Sequence, residues 1–108
     1  MKFTAGYWMF RPGVAPMFPA QVHDVQADAD GLTLSAPTKR IENRGGTLNQ
    51  PLLTIRLTSP LPNVIRVQMV HHKGRRLRDP QFDLHPQLAP VTVHDDDAAA
   101  SLTSGDLT

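Results

Sequence analysis

Pro51-Leu-Leu-Thr-Ile-Arg-Leu-Thr-Ser-Pro60 and Asn63-Val-Ile-Arg-Val-Gln-Met-Val-His71 decide the fold class of this 108-residue chain. In the first stretch Leu53, Ile55 and Leu57 alternate with Thr54, Arg56 and Thr58. In the second, Ile65, Val67 and Met69 alternate with Arg66 and Gln68. A strict period of two, enriched in β-branched residues, marks a half-buried strand with one face to a core and the other to water. Between them, Ser59-Pro60-Leu61-Pro62-Asn63 holds two prolines, which cannot donate to a central ladder. The pair reads as two antiparallel strands joined by a short, proline-bearing turn.

Working outward, residues 3–10 read as a first strand ended by the turn signal Arg11-Pro12-Gly13. Val14–Pro19 is apolar but broken by prolines, as an edge strand or an extended segment would be. Gln21–Ala27 and Leu32–Ala36 are further strands. The Asp28-Ala29-Asp30-Gly31 between them is the clearest hairpin signal, since Asp and Gly tolerate the positive φ of tight turns. Lys39–Asn49 reads as a polar loop around Gly45-Gly46 with a short extended piece, and Lys73–Pro90 as a long exposed connection. Val91–His94 is a short strand, Asp95–Asp97 a turn, Ala99–Thr103 another strand, and Ser104-Gly105-Asp106 a hairpin turn followed by Leu107-Thr108. A turn with no strand after it leaves backbone donors and acceptors unpaired, so a fragment of a larger sheet is expected. No stretch sustains helical periodicity. The expectation is one domain, residues 1–108: all-β, an incomplete antiparallel β-sandwich with little helix.

Composition narrows the function classes. Hydrophobic content of 40% and charged content of 19% fit a globular chain. A formal net charge of +1 gives no long-range attraction to nucleic acid or anionic lipid. With no cysteine there is neither disulfide nor thiolate chemistry, and a cytoplasmic location fits. No run approaches the ~18 apolar residues of a membrane span, and the Tyr7–Phe10 run is too short for a signal peptide.

Candidate chemistry is sparse. Of nine Asp and one Glu, Asp28 and Asp30 fall in a hairpin turn, Asp95–Asp97 in a solvated run, and Asp79, Asp83 and Asp106 in loops. These are positions where Asp serves turns, so no catalytic pair is assigned. His71 and His72 point to opposite faces of a strand, and His23, His85 and His94 are scattered; no metal or cofactor site is assigned. Arg66, Lys73, Arg75, Arg76 and Arg78 cluster five of the eleven basic residues, but without the interleaved aromatics of nucleic-acid binders. They suit a solvated loop docked on an acidic neighbour. Tyr7, Trp8 and Phe10 concentrate the aromatic content near the N-terminus. On a strand, Tyr7 and Met9 would face one way and Trp8 and Phe10 the other, so one pair would enter the core. These three residues are the candidate carbohydrate or interdomain contact.

The two strong strands, together with Met1-Lys-Phe-Thr-Ala-Gly-Tyr-Trp-Met-Phe-Arg-Pro-Gly13, Ala36-Pro-Thr-Lys-Arg-Ile41 and His71-His-Lys-Gly74, resemble the beginning of family 31 glycoside hydrolases, and most of all the bacterial α-xylosidases. The likeness covers roughly residues 1 to 85 and rests on the order and spacing of these pieces. It implies the first part of a galactose-mutarotase-like β-sandwich that precedes and packs on a catalytic (β/α)-barrel. It also implies, for the whole enzyme, retaining hydrolysis of α-xyloside-containing oligosaccharides by two carboxyl groups of the barrel, without metal or organic cofactor. This chain would then supply scaffold, support for the substrate pocket and contacts within a homo-oligomer. The alternatives are a free-standing sandwich that binds carbohydrate or protein, and a non-functional remnant of a truncated frame. The Arg-rich continuation after Lys73-Gly74 departs from the family pattern.

Overall fold

A computed structural model describes residues 4–47, 50–71 and 88–108. Strands β1 (Asp24–Asp28), β2 (Gly31–Pro37), β3 (Leu52–Leu61) and β4 (Val64–Val70) form one antiparallel meander; β5 (Thr92–Asp95) and β6 (Ala100–Thr103) form a second antiparallel sheet. The all-β expectation holds. Helical structure among the described residues is a 3₁₀ turn at Arg44–Thr47, where the sequence suggested an extended piece.

The register makes the first sheet amphipathic. Ala27, Leu32, Leu57 and Val67 stand side by side in one rung, and Val25, Leu34, Ile55 and Met69 in the next on the same face. Between them, Gln26, Thr33, Arg56 and Gln68 face the other way. The second sheet lies against β1 and β2. Coverage is therefore uneven. Leu32, Ala36, Leu53 and Leu102 are buried, but Val67 and Met69, which alternation assigns to the core, are 62% and 52% exposed. Ile55 and Leu57 are half-buried. Alternation identifies the apolar face correctly and is silent on how far a second layer extends over it.

The turns use different devices. The Asp28–Gly31 hairpin forms at the expected place, but not by positive φ. The Asp28 carboxylate accepts from the backbone N–H groups of Asp30 (2.8 Å) and Gly31 (3.0 Å), an Asx turn. Gly31 is needed because β3 passes so close that a Cβ would overlap the Leu57 carbonyl oxygen. The proline-rich linker also differs from expectation. β3 runs through Pro60 to Leu61, with the register shifting between Thr58 and Leu61. Ser59 and Pro60 together oppose Ile65, a bulge, where a strand proline is tolerated. The reversal itself is Pro62-Asn63, with Asn63 at φ 61°, the pattern of a type II turn.

Four groups clasp the sheets together. The buried hydroxyls of Ser59 and Ser104 lie 2.6 Å apart, and Ser59 also donates to the Leu61 carbonyl at 2.7 Å. Asn63 Oδ1 accepts from Asp106 N–H at 2.7 Å. Gly105 sits at φ 59°, and a Cβ there would overlap Asn63 Oδ1.

Candidate functional site

The first strand expected from the sequence is instead a tight reversal. Thr4 bridges Phe10, Ala5 N–H donates to Met9 C=O (2.9 Å), and Met9 N–H donates to Gly6 C=O (3.0 Å). Arg11 Nε closes the base by donating to the Thr4 carbonyl at 3.0 Å. Tyr7 and Trp8 occupy the tip at φ 49° and 63°. Positive φ at both central residues fits a type I′ turn, which ordinarily takes Asn or Gly there. A bulky residue in this region is a backbone outlier. Neither aromatic enters a core: Tyr7 is 95% and Trp8 93% exposed, and Met9 and Phe10 are exposed as well. The strand-based pairing of faces is therefore overturned, because local hydrogen bonds fold the segment on itself before it can alternate. Tyr7 and Trp8 project from the tip, and Phe10 lies at the base of the same turn, where it bridges Thr4.

Two of the described carboxylates, Asp28 and Asp96, are held in structural roles. Arg56 forms a fork on Asp28, with Nη1 at 2.6 Å and Nη2 at 2.9 Å, while Nη1 also donates to Thr33 Oγ1 at 2.9 Å. That guanidinium, with the Asp30 amide, lowers the Asp28 pKa from 3.8 to about 2. Asp28 in turn raises that of Arg56. In the β5–β6 turn, Asp96 accepts from the amides of Ala98 and Ala99, each at 2.8 Å, and lies 2.9 Å from His94 Nε2. Those amides first, and His94 second, pull the Asp96 pKa down. Among the described residues no group of three His, Cys, Asp or Glu could hold a metal ion. Asp79, Asp83, His72, His85 and the basic cluster Lys73, Arg75, Arg76 and Arg78 lie outside the described residues. No helix among the described residues is long and apolar enough to cross a membrane.

Among the described residues, two clefts can be placed. One, of about 390 Å³, runs along Met17, Phe18, Lys39, Gln50 and Pro51. The other, of about 510 Å³, lies between His23-Asp24 and Asp95–Asp97. Neither cleft includes the aromatic turn. Sequence reasoning missed the Ser59–Ser104 and Asn63–Asp106 links, since no periodicity marks a contact between residues 45 and 43 positions apart. The one available signal was Gly105 in a turn, which it read as local.

Comparison with known proteins gives the chemistry its context. No family model matches the chain. It is 39% identical over 107 residues to the alpha-xylosidase XylQ of Lactiplantibacillus pentosus, and 32% identical over 108 residues to an alpha-xylosidase of Emericella nidulans. Each match takes in 99% of this chain and 14% of the relative. The class is thus an antiparallel all-β unit of glycosidase-like sequence. More particularly, the chain is similar to alpha-xylosidases along nearly its whole length, and it spans about one-seventh of the length of those relatives.

Proposed function

We propose that residues 1–108 are the N-terminal, non-catalytic part of an α-xylosidase-like enzyme of glycoside hydrolase family 31. The observation that carries this reading is the match over 99% of the chain against only 14% of each relative. The engagement of two of the described carboxylates agrees with it. Retaining hydrolysis needs two free carboxyl groups about 5–5.5 Å apart, whereas Asp28 and Asp96 are engaged with Arg56 and with turn amides. The sheet is scaffold. The Tyr7–Trp8 tip is its contact with the barrel or with the α-xyloside held there, and the enzyme works in the cytoplasm. Two aromatic residues held at positive φ fit a contact role, because such conformations cost ~1–3 kcal/mol each and cluster at functional positions.

Sequencing the coding DNA past Thr108 and expressing the whole open frame tests this. A frame that continues, whose product cleaves an aryl α-xyloside with retention while residues 1–108 alone do not, supports the reading. A stop directly after Thr108, or hydrolysis by the short chain, overturns it. In the whole enzyme Trp8→Gly should preserve folding, since glycine suits φ 63°, while weakening substrate capture or barrel docking. The exposed aromatic tip also favours a second reading, a free-standing sugar-binding module. Saturable quenching of Trp8 fluorescence by xylo-oligosaccharides in the 108-residue chain would support it.

A further inference from the structure

The first sheet has two edges, and they are built differently. Among the described residues its outer strands are β1 and β4. β1, Asp24-Val-Gln-Ala-Asp28, carries a carboxylate at each end, and the second sheet lies against it. Charge of this kind keeps a strand edge from pairing with another chain. β4, Val64-Ile-Arg-Val-Gln-Met-Val70, has Arg66 as its one charged residue, and Val64, Val67, Met69 and Val70 are exposed. Its character is the same read from either end: two apolar residues, one polar, a central valine, one polar, two apolar.

The backbone of β4 directs its free groups where such symmetry can use them. His23 N–H donates to the Ser35 carbonyl at 2.8 Å and Ala20 N–H to the Pro37 carbonyl at 2.9 Å, both donors lying in the segment that leads into β1. Successive residues of an antiparallel strand bond to opposite neighbours. Leu34 and Ala36 therefore bond to β3, through Ile55 and Leu53. Thr54 and Arg56 in turn bond to β4, through Val70 and Gln68. The N–H and C=O groups of Ile65, Val67 and Met69 are thus directed away from the sheet.

We propose that β4 pairs antiparallel with β4 of a second copy of this chain, about a two-fold axis at Val67, joining the two four-stranded sheets into one. In that register Val67 meets the partner's Val67, Ile65 the partner's Met69, Arg66 the partner's Gln68 and Val64 the partner's Val70. Every apolar residue of β4 opposes an apolar one and every polar residue a polar one. The outward groups of Ile65, Val67 and Met69 all find partners. An axis at Arg66 sets two guanidinium groups directly opposite each other, which is destabilising. An axis at Gln68 sets Arg66 against the partner's Val70 and leaves Ile65 without a β4 residue to pair with. An axis between two residues sets outward-directed groups against inward-directed ones. The same construction on β1 sets Asp24 against the partner's Asp28, so that edge is closed to self-pairing. Nothing in this pairing depends on the α-xylosidase reading.

The chain has no cysteine, so single introduced cysteines report the register. Arg66 and the partner's Gln68 form a non-hydrogen-bonded pair with Cα atoms about 4.5 Å apart, within disulfide reach. Two copies of either residue alone are two positions out of step, about 7–8 Å apart and beyond that reach. Neither side chain is buried, so the substitutions leave the fold intact. An oxidised equimolar mixture of the Arg66→Cys and Gln68→Cys chains is expected to form covalent dimer at least ~10-fold faster than either variant alone. The unmodified chain is expected to sediment as a dimer, and Val67→Lys, which sets two ammonium groups on the axis, as a monomer. Equal cross-linking in the mixture and in either variant alone, as random collision or another register gives, overturns the proposal. So does a monomeric unmodified chain, or a dimer that survives Val67→Lys.

Discussion

Leu32 and Val67 belong to the same rung of the same sheet, with Leu57 between them, and point the same way. Leu32 is 1% exposed and Val67 62%. Local sequence does not separate them: both are apolar residues alternating with polar ones in antiparallel strands. What separates them is the second layer, which reaches β1 and β2 through β5. Strand pattern states which face is apolar; only tertiary arrangement states how much of it is dry.

The sharpest way to break this contrast is Leu32→Ala. Deleting a fully buried leucine side chain should cost ~2–5 kcal/mol in denaturant unfolding; a loss below ~1 kcal/mol would mean that the two ends of the rung are alike. Next in size is Gly105→Ala, at ~2–3 kcal/mol, since it meets both an unfavourable φ and the side chain of Asn63. Gly13→Ala, at φ 84° with open space around it, bears the conformational cost alone, about 1–2 kcal/mol. If the two glycines prove equal by thermal unfolding, Asn63 is not seated where the structure places it. Ser104→Ala should cost about 1 kcal/mol, because Ser59 retains the Leu61 carbonyl as a partner. Smallest is Val67→Thr, within ~0.5 kcal/mol in this chain.

A pH titration probes the opposite face of the sheet. The Asp28 carboxyl has a folded pKa of about 2, below its ordinary 3.8, because of Arg56 and the Asp30 amide. A depressed carboxylate pKa stabilises the fold above the unfolded value, and that contribution is lost as pH falls from near 3.8 toward 2. Arg56→Gln should shallow the acid limb of a stability–pH profile in that window and leave its neutral region nearly flat. An unchanged acid limb would show that the fork does not hold in solution.

The sequence made the four-stranded meander legible because its signals are local: alternation, the Asp28–Gly31 turn and the proline-bearing reversal. Its errors were local as well. Residues 4–10 carry strand-forming aromatics, yet three successive positive φ values at Gly6, Tyr7 and Trp8 turn them back on themselves. Pro60 ended a strand on paper and is absorbed by a bulge in fact. The aromatic tip was legible by composition but not by exposure, since an alternating strand would have hidden one ring of the pair. The serine pair was illegible, because two serines far apart in sequence carry no mark of the hydrogen bond that joins them.

The clasp linking Ser59 and Asn63 to Ser104 and Asp106 also sets an order of events during synthesis. β2, β3 and β4 each pair with the strand just before them, so the meander can assemble as it leaves the ribosome, with no connection longer than the 14 residues between β2 and β3 to close. The clasp spans 45 and 43 residues and must wait until Asp106 has emerged. Loop-closure entropy and chain supply both make it late. At about 5–20 residues per second, the nascent chain spends several seconds with its apolar sheet face formed and uncovered. In that interval the face is a natural target for holdase chaperones.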